Sequence, residues 1–177
     1  MNGPFLFDTS AESWLAREPV GRRWLLRYAS RHLVYVSAVT VMERLTGYGL
    51  AIDQAPPDRV RILTAMRDAY DQNPSRVLPV HQGVAGAAAE ILRLLPAPPS
   101  PAITSHRHME SRATRVARWR FDAIIAATAL VWGLPLIHEN ARDFEAVRQE
   151  VARHPERLPG LGDLALIRST SLDLNMK

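Results

Sequence analysis

Short apolar runs alternate with longer stretches of helical periodicity along the whole chain. Phe5-Leu6-Phe7 is the first run. It stops at Asp8-Thr9-Ser10, after which Ala11, Trp14 and Leu15, then Trp24, Leu25 and Tyr28, recur three and four residues apart, so a buried strand leads into helix. Pro19 divides that helical region in two, because it lacks a backbone donor and disfavours helix at Glu18. Leu33 to Val36 reads as a second strand, β-branched and aromatic, and Ser37 is a good cap for a following helix with Val41, Leu45 and Tyr48 on one side.

After Pro56-Pro57, Val60 to Tyr70 has an amphipathic helical pattern that turns Arg59, Arg61, Arg67 and Asp68 to water. Val77 to Val80 is a strand that Pro79 confines to a sheet edge or a strand end. The alanine-rich stretch Val84 to Leu95 is helical. The run Pro96-Ala97-Pro98-Pro99-Ser100-Pro101 cannot hold regular structure and opens a loop reaching about Met109. Glu110 to Trp132 reads as one long helix closed by Gly133, followed by the strand Leu134 to Ile137, a turn at His138-Glu139-Asn140 and a helix from about Arg142 to Arg153. Pro159 to Gly162 then turns the chain into a last strand, Leu164 to Ile167. Buried strands alternating with helices predict an α/β fold whose parallel sheet is covered on both faces. No repeat or linker divides the sequence, so one domain is expected over residues 1–177, with an extended helical and Pro-rich region at about 54–120.

The length of 177 residues and a hydrophobic content of 47% suit one continuous core. There are 22 Lys+Arg against 18 Asp+Glu, a formal charge of +4, and Lys177 is the only lysine, so the basic charge is almost all arginine. Guanidinium forks suit phosphate groups, which fits a nucleic-acid partner without requiring one. The absence of cysteine rules out a disulfide framework, a thiolate nucleophile and a cysteine-based zinc site, leaving oxygen or imidazole ligands for any metal. The N-terminal residues carry no basic segment followed by a long apolar run, and the longest uncharged apolar run, Ala123 to Ile137, is too short for a membrane span and contains Gly133 and Pro135. A cytoplasmic protein without membrane contact is the expectation.

Open α/β sheets collect ligand chemistry beyond the carboxyl ends of their strands. Asp8 ends the first strand, Glu43 lies about two turns into the helix after the second, and Asn140 and Asp143 follow the Leu134 to Ile137 strand. Asp122 sits within the long helix beside Phe121, Ile124 and Ile125, where a buried carboxylate is costly without a cation or several donors. Taken singly, each has an ordinary explanation: a helix cap at Asp8, an exposed helix residue at Glu43, an ion pair between Asp122 and Arg118, and turn chemistry at Asn140 and Asp143.

Their sequence settings add a resemblance. Phe5-Leu6-Phe7-Asp8-Thr9-Ser10 looks like the opening of PIN domains, where a strand ends in Asp-Thr-Asn, and Ser37-Ala38-Val39-Thr40-Val41-Met42-Glu43 is similar to their Ser-x-x-Thr-x-x-Glu motif. Phe121-Asp122-Ala123-Ile124-Ile125-Ala126-Ala127-Thr128-Ala129, then Gly133 to Ile137, then Asn140-Ala141-Arg142-Asp143-Phe144, resembles the C-terminal half of PIN-domain ribonucleases of the VapC toxin type. Ser10 stands where that family usually has Asn, Arg44 where Leu is common, and His138-Glu139 where Thr-x precedes the Asn.

The resemblance implies a three-layer α/β/α sandwich around a parallel sheet of about five strands. It also implies a catalytic set of Asp8, Glu43, Asp122 and Asp143, with Asp8, Asp122 and Asp143 holding Mg2+ or Mn2+ and Glu139 as an alternative fourth acid. Thr9, Ser10, Thr40 and Asn140 would support them. The implied activity is hydrolysis of single-stranded RNA by a metal-activated water, leaving a 5′-phosphate on the downstream fragment. Arg118, Arg120 and Arg142 would contact the RNA backbone, and Arg107, Arg112 and Arg115 approach Asp122 from the same side. His106 and His108 lack a third partner for a zinc site. A cognate antitoxin and a homodimer are the implied protein partners. Two alternatives keep the same fold: a PIN nuclease of RNA processing without an antitoxin, and a binding module with a decayed site. A phosphatase is disfavoured because Ser10 occupies the place of the second Asp that chemistry uses.

Overall fold

The computed structural model describes residues 3–72, 76–101, 104–105 and 108–172, with backbone alone at 104–105 and 108–109. Five parallel strands form the central sheet: β1 (Phe5–Phe7), β2 (Val34–Ser37), β3 (Arg76–Leu78), β6 (Leu136–His138) and β7 (Leu166–Arg168), in the order β3-β2-β1-β6-β7. Phe7 pairs with Val36 on one side and Ile137 on the other, so the chain leaves β1, β2 and β6 at the same edge. The strand order reverses beside β1, and such a switch point is where these sheets bind ligands.

Alternation along the strands sends side chains to two cores. Phe5, Phe7, Val36 and Ile137 face α1 (Thr9–Arg17) and α2 (Pro19–Ala29), where they pack with Leu15, Trp24 and Tyr28. Tyr28 stacks on Phe5 and Trp24 at 5.5 and 5.2 Å and accepts the Phe5 N–H at 2.9 Å, so its hydroxyl is satisfied inside an aromatic cluster. Leu6 and Leu136 face the opposite layer of α5 (Gln82–Leu94), α6 (Arg112–Trp132) and α7 (Ala141–Arg153), with Trp119, Ile125 and Phe144. Gly133, at φ 62°, ends α6 in the left-handed conformation that favours glycine.

Most elements fall where the periodicity puts them, but several bounds differ, among them the third strand, which spans Arg76–Leu78 and not Val77 to Val80. The second strand starts at Val34 and includes Ser37. His138 is the last residue of β6, held there by pairing with Arg168. The segment after the prolines contains a two-stranded antiparallel ribbon, β4 (Thr104–Ser105) and β5 (His108–Met109), instead of loop throughout. The last strand begins at Leu166, although Leu164 is buried.

The pair α3 (Ala38–Asp53) and α4 (Pro57–Asp71) projects from the β2 side of the sheet. No residue of α4 is fully buried, and Ile62 and Met66 are 58% and 49% exposed, so its apolar stripe does not join either core. Among the described residues no helix is long and apolar enough to cross a membrane.

Candidate active site

Asp8 is the first residue beyond β1 and caps α1, its Oδ1 accepting the Ala11 N–H at 2.6 Å. The Ser10 hydroxyl donates to Asp8 Oδ2 at 2.8 Å and accepts the Glu139 N–H at 3.0 Å. Ser10 thus ties the ends of β1 and β6 together at the switch point. Asp8 is only 3% exposed. Burial drives its pKa up to about 7 against the hydrogen bonds from Ala11 and Ser10, and the negative charges of Glu43 and Glu12 push the same way.

Glu43 arrives from α3, where Ser37 caps the helix through the Val39 N–H at 3.3 Å. Its Oε2 accepts the Thr9 hydroxyl at 2.5 Å, which fixes the carboxylate beside the start of α1, and burial raises its pKa. Asp122 comes from the middle of α6. Burial, then the charges of Asp143, Asp8 and Glu43, raise its pKa to about 8, and Arg118 opposes them. Asp8, Thr9, Ser10, Glu43, Asp122 and Asn140 all line one cavity of about 370 Å³. Ser13, Ile125, Arg118 and Glu139 complete its wall.

The other expected residues lie as follows. Asp143, on the first turn of α7, is 1% exposed and does not line the cavity; Asn140 bridges it to Asp122. Glu139 directs its carboxylate to the Thr170 N–H at 3.1 Å and to Arg168 at 3.8 Å. Thr40 is buried beneath Glu43 in α3, and its hydroxyl has no hydrogen-bond partner among the described residues. Arg118 reaches the cavity but is bound by Glu110 through two contacts of 3.2 Å. Arg120 and Arg142 are exposed and outside the cavity wall. His106 and Arg107 lie outside the described residues, as does the side chain of His108.

The cavity wall therefore carries four acidic residues, of which Glu139 is turned to Thr170 and Arg168, so that Asp8, Glu43 and Asp122 face one guanidinium that already has an acidic partner. All potential ligands are oxygens, which suits a hard divalent cation. Among the described residues no group of three acidic or imidazole side chains stands at ligating spacing. A magnesium-type ion, however, is commonly held by one or two carboxylates, with waters and substrate phosphate completing its shell, and Asp8 and Asp122, which line the same cavity, are the residues that could serve.

Sequence reasoning missed a second polar cluster on the same helices. Arg44 donates to the Ser13 hydroxyl at 2.9 Å, lies 3.8 Å from Glu12, and sits 5.5 and 5.4 Å from the ring centres of Tyr48 and Tyr70. Tyr70 in turn donates to Glu12 at 3.1 Å. Its members are spread over α1, α3 and α4, and no local spacing announces it.

The family model described as PIN domain matches residues 5–150. Among solved structures the chain is similar to FitAcB from Neisseria gonorrhoeae, with a TM-score of 0.59 and 21% identity over 96% of this chain and 100% of that one. It is similar to VapBC2 from Rickettsia felis bound to a DNA fragment from their promoter, with a TM-score of 0.56 and 11% identity over 93% and 97%. It is also similar to DNA-bound VapBC from Salmonella typhimurium, with a TM-score of 0.52 and 19% identity over 93% and 97%. At these identities the likeness is one of fold. No curated protein matches the sequence.

Proposed function

Because the chain belongs to the PIN-domain family, we propose that it is a metal-dependent endoribonuclease acting at the Asp8–Glu43–Asp122 cavity, and the toxin of a toxin-antitoxin pair. The observation that carries the proposal is the convergence of carboxylates from β1, α3 and α6 on one cavity, with the pKa values of Asp8 and Asp122 raised to about 7 and 8. Mutual repulsion between buried carboxylates is uncompensated structural cost unless a cation is the intended partner.

In this reading Asp8 and Asp122 would hold Mg2+ or Mn2+, which when bound would supply Lewis-acid activation of water and neutralise phosphate charge. Ser10 keeps Asp8 in place by fixing β1 against β6. Glu43, with Oε2 held by Thr9, has Oε1 left to accept a proton from the attacking water. Arginine on the exposed faces of α6 and α7, including Arg120 and Arg142, gives the RNA backbone a cationic approach. The active protein works in the cytoplasm, restrained by a cognate antitoxin and assembled as a homodimer. The support for the antitoxin partner is the fold likeness to VapBC and FitAB proteins.

The test is cleavage of a fluorophore-labelled single-stranded RNA with Mn2+. Wild-type protein is expected to cut it and to leave a DNA strand of the same sequence intact, and Asp8→Ala and Asp122→Ala are each expected to be inactive. Equal cutting by both variants would remove the site assignment, and cutting of DNA alone would remove the substrate assignment.

A further inference from the structure

Asp143 has both carboxylate oxygens engaged by the protein. Oδ1 accepts the Ser100 N–H at 2.8 Å, while Oδ2 accepts Asn140 Nδ2 at 2.7 Å and lies 3.6 Å from the Arg118 guanidinium. At 1% exposure it has no face open to solvent. Asn140 Nδ2 also donates to Asp122 Oδ2 at 3.0 Å, so one amide group spans two carboxylates that would otherwise repel each other.

Two of the residues that complete this arrangement come from the segment between α5 and α6. Described residues of that segment meet the body at Leu95, whose O accepts Trp119 Nε1 at 3.0 Å, at Ser100, which donates to Asp143, and at Glu110, which receives Arg118 through Nε and Nη2. All three partners stand on α6 and α7; α6 carries Asp122, and Asn140 immediately precedes α7.

We infer that Asp143 is a positioning residue and not a metal ligand: held by Ser100 and Arg118, it orients Asn140, and Asn140 fixes the carboxylate of Asp122. The Pro-rich segment is then a strap that sets the geometry of the cavity. Arg118, clamped between Glu110 and Asp143, belongs to the strap's anchorage and is not free to follow the RNA. The geometric part of this inference stands without a metal; its consequence for affinity rests on the metal-site reading of the cavity.

Two readouts separate them. In nuclear magnetic resonance of the metal-free protein, the Asn140 side-chain amide, identified by its loss in Asn140→Ala, is expected to exchange slowly with solvent. Asp143→Asn is expected to speed that exchange about tenfold or more. Ser100→Pro, which deletes one donor to Asp143 in a segment already rich in proline, is expected to act in the same direction and decides the question should Asp143→Asn fail to fold. In Mn2+ titration by calorimetry, Asp143→Asn and Asn140→Ala are each expected to lose about tenfold in affinity, and the double variant no more than either single one. Unchanged amide exchange in Asp143→Asn or Ser100→Pro, or a double variant whose loss is the product of the two singles, would overturn the positioning role. Absence of Mn2+ binding in the wild type would instead refute the metal reading, and the amide exchange would still decide this one.

Discussion

The helices α1 and α3 each contribute to two polar clusters, and the two are built to opposite rules. Around Arg44 the charges match: the guanidinium faces Glu12, donates to Ser13 and lies over two tyrosine rings, and Tyr70 satisfies Glu12 again. Around Asp8 they do not, because Glu43 and Asp122 add to the same negative field and Arg118 is already held by Glu110. A polar cluster neutralised from within ties helices together. One left with excess charge of one sign, in an open cavity, is poised for a ligand of the other sign. The contrast teaches that net charge of a cluster, more than its burial, separates a scaffold from a site.

The largest effect that sharpens this contrast is on turnover. Asp8→Asn and Asp122→Asn are expected to reduce RNA cleavage by about 100-fold or more, as loss of a group acting at the reacting centre does. Both should nevertheless raise the Tm of the metal-free protein at pH 8, since each removes a charge that folding buries. Asn at position 8 also retains the helix-capping oxygen.

Glu12→Ala reverses the pattern. It removes the acidic partner of Arg44 and Tyr70 while leaving Arg44 its bond to Ser13, and is expected to cost about 2 kcal/mol of stability, read as a fall in Tm of roughly 4–8 °C, with RNA cleavage at permissive temperature reduced by less than about fivefold. A variant of Glu12 that kept its Tm and lost its activity would erase the distinction between the two clusters.

The pH dependence follows from the raised pKa values. An unfolded Asp titrates near 4, whereas Asp8 and Asp122 titrate at about 7 and 8 when folded. The folded state therefore binds more protons between those limits, and the contribution of these groups to stability falls as pH rises from about 4 to 8. Metal-free protein is expected to melt at a lower temperature at pH 8.5 than at pH 5.5, and the difference should shrink in the double variant Asp8→Asn, Asp122→Asn. The smallest effect is expected at α4, where Ile62→Ser should change stability by no more than about 0.5 kcal/mol because the side chain is exposed.

What the sequence disclosed was what local chemistry encodes. Phe5-Leu6-Phe7 before Asp8, the Ser37 cap and Gly133 after Trp132 each carry their own signal, and the structure follows all three. The position of Asp122 among apolar neighbours signalled a carboxylate under strain before its partners were known. Features made by distant residues stayed hidden. The stripe on α4 has the period of a core helix yet meets no core, since burial depends on what else the fold brings against it. The Arg44 cluster joins residues up to 58 positions apart. The resemblance makes Asp143 a ligand candidate, and nothing local announces that Ser100, 43 residues earlier, donates to one of its oxygens while Asn140 donates to the other.

Calorimetric titration of the metal-free protein with Mn2+ at pH 7, in two buffers of different ionisation enthalpy, tests the central claim most directly. Cation binding at Asp8 and Asp122 must displace the protons those carboxylates hold near neutral pH. The account predicts release of about one proton per bound ion, with both release and binding greatly reduced in Asp8→Asn and Asp122→Asn. Binding without proton release, or binding unaffected by both substitutions, would contradict it.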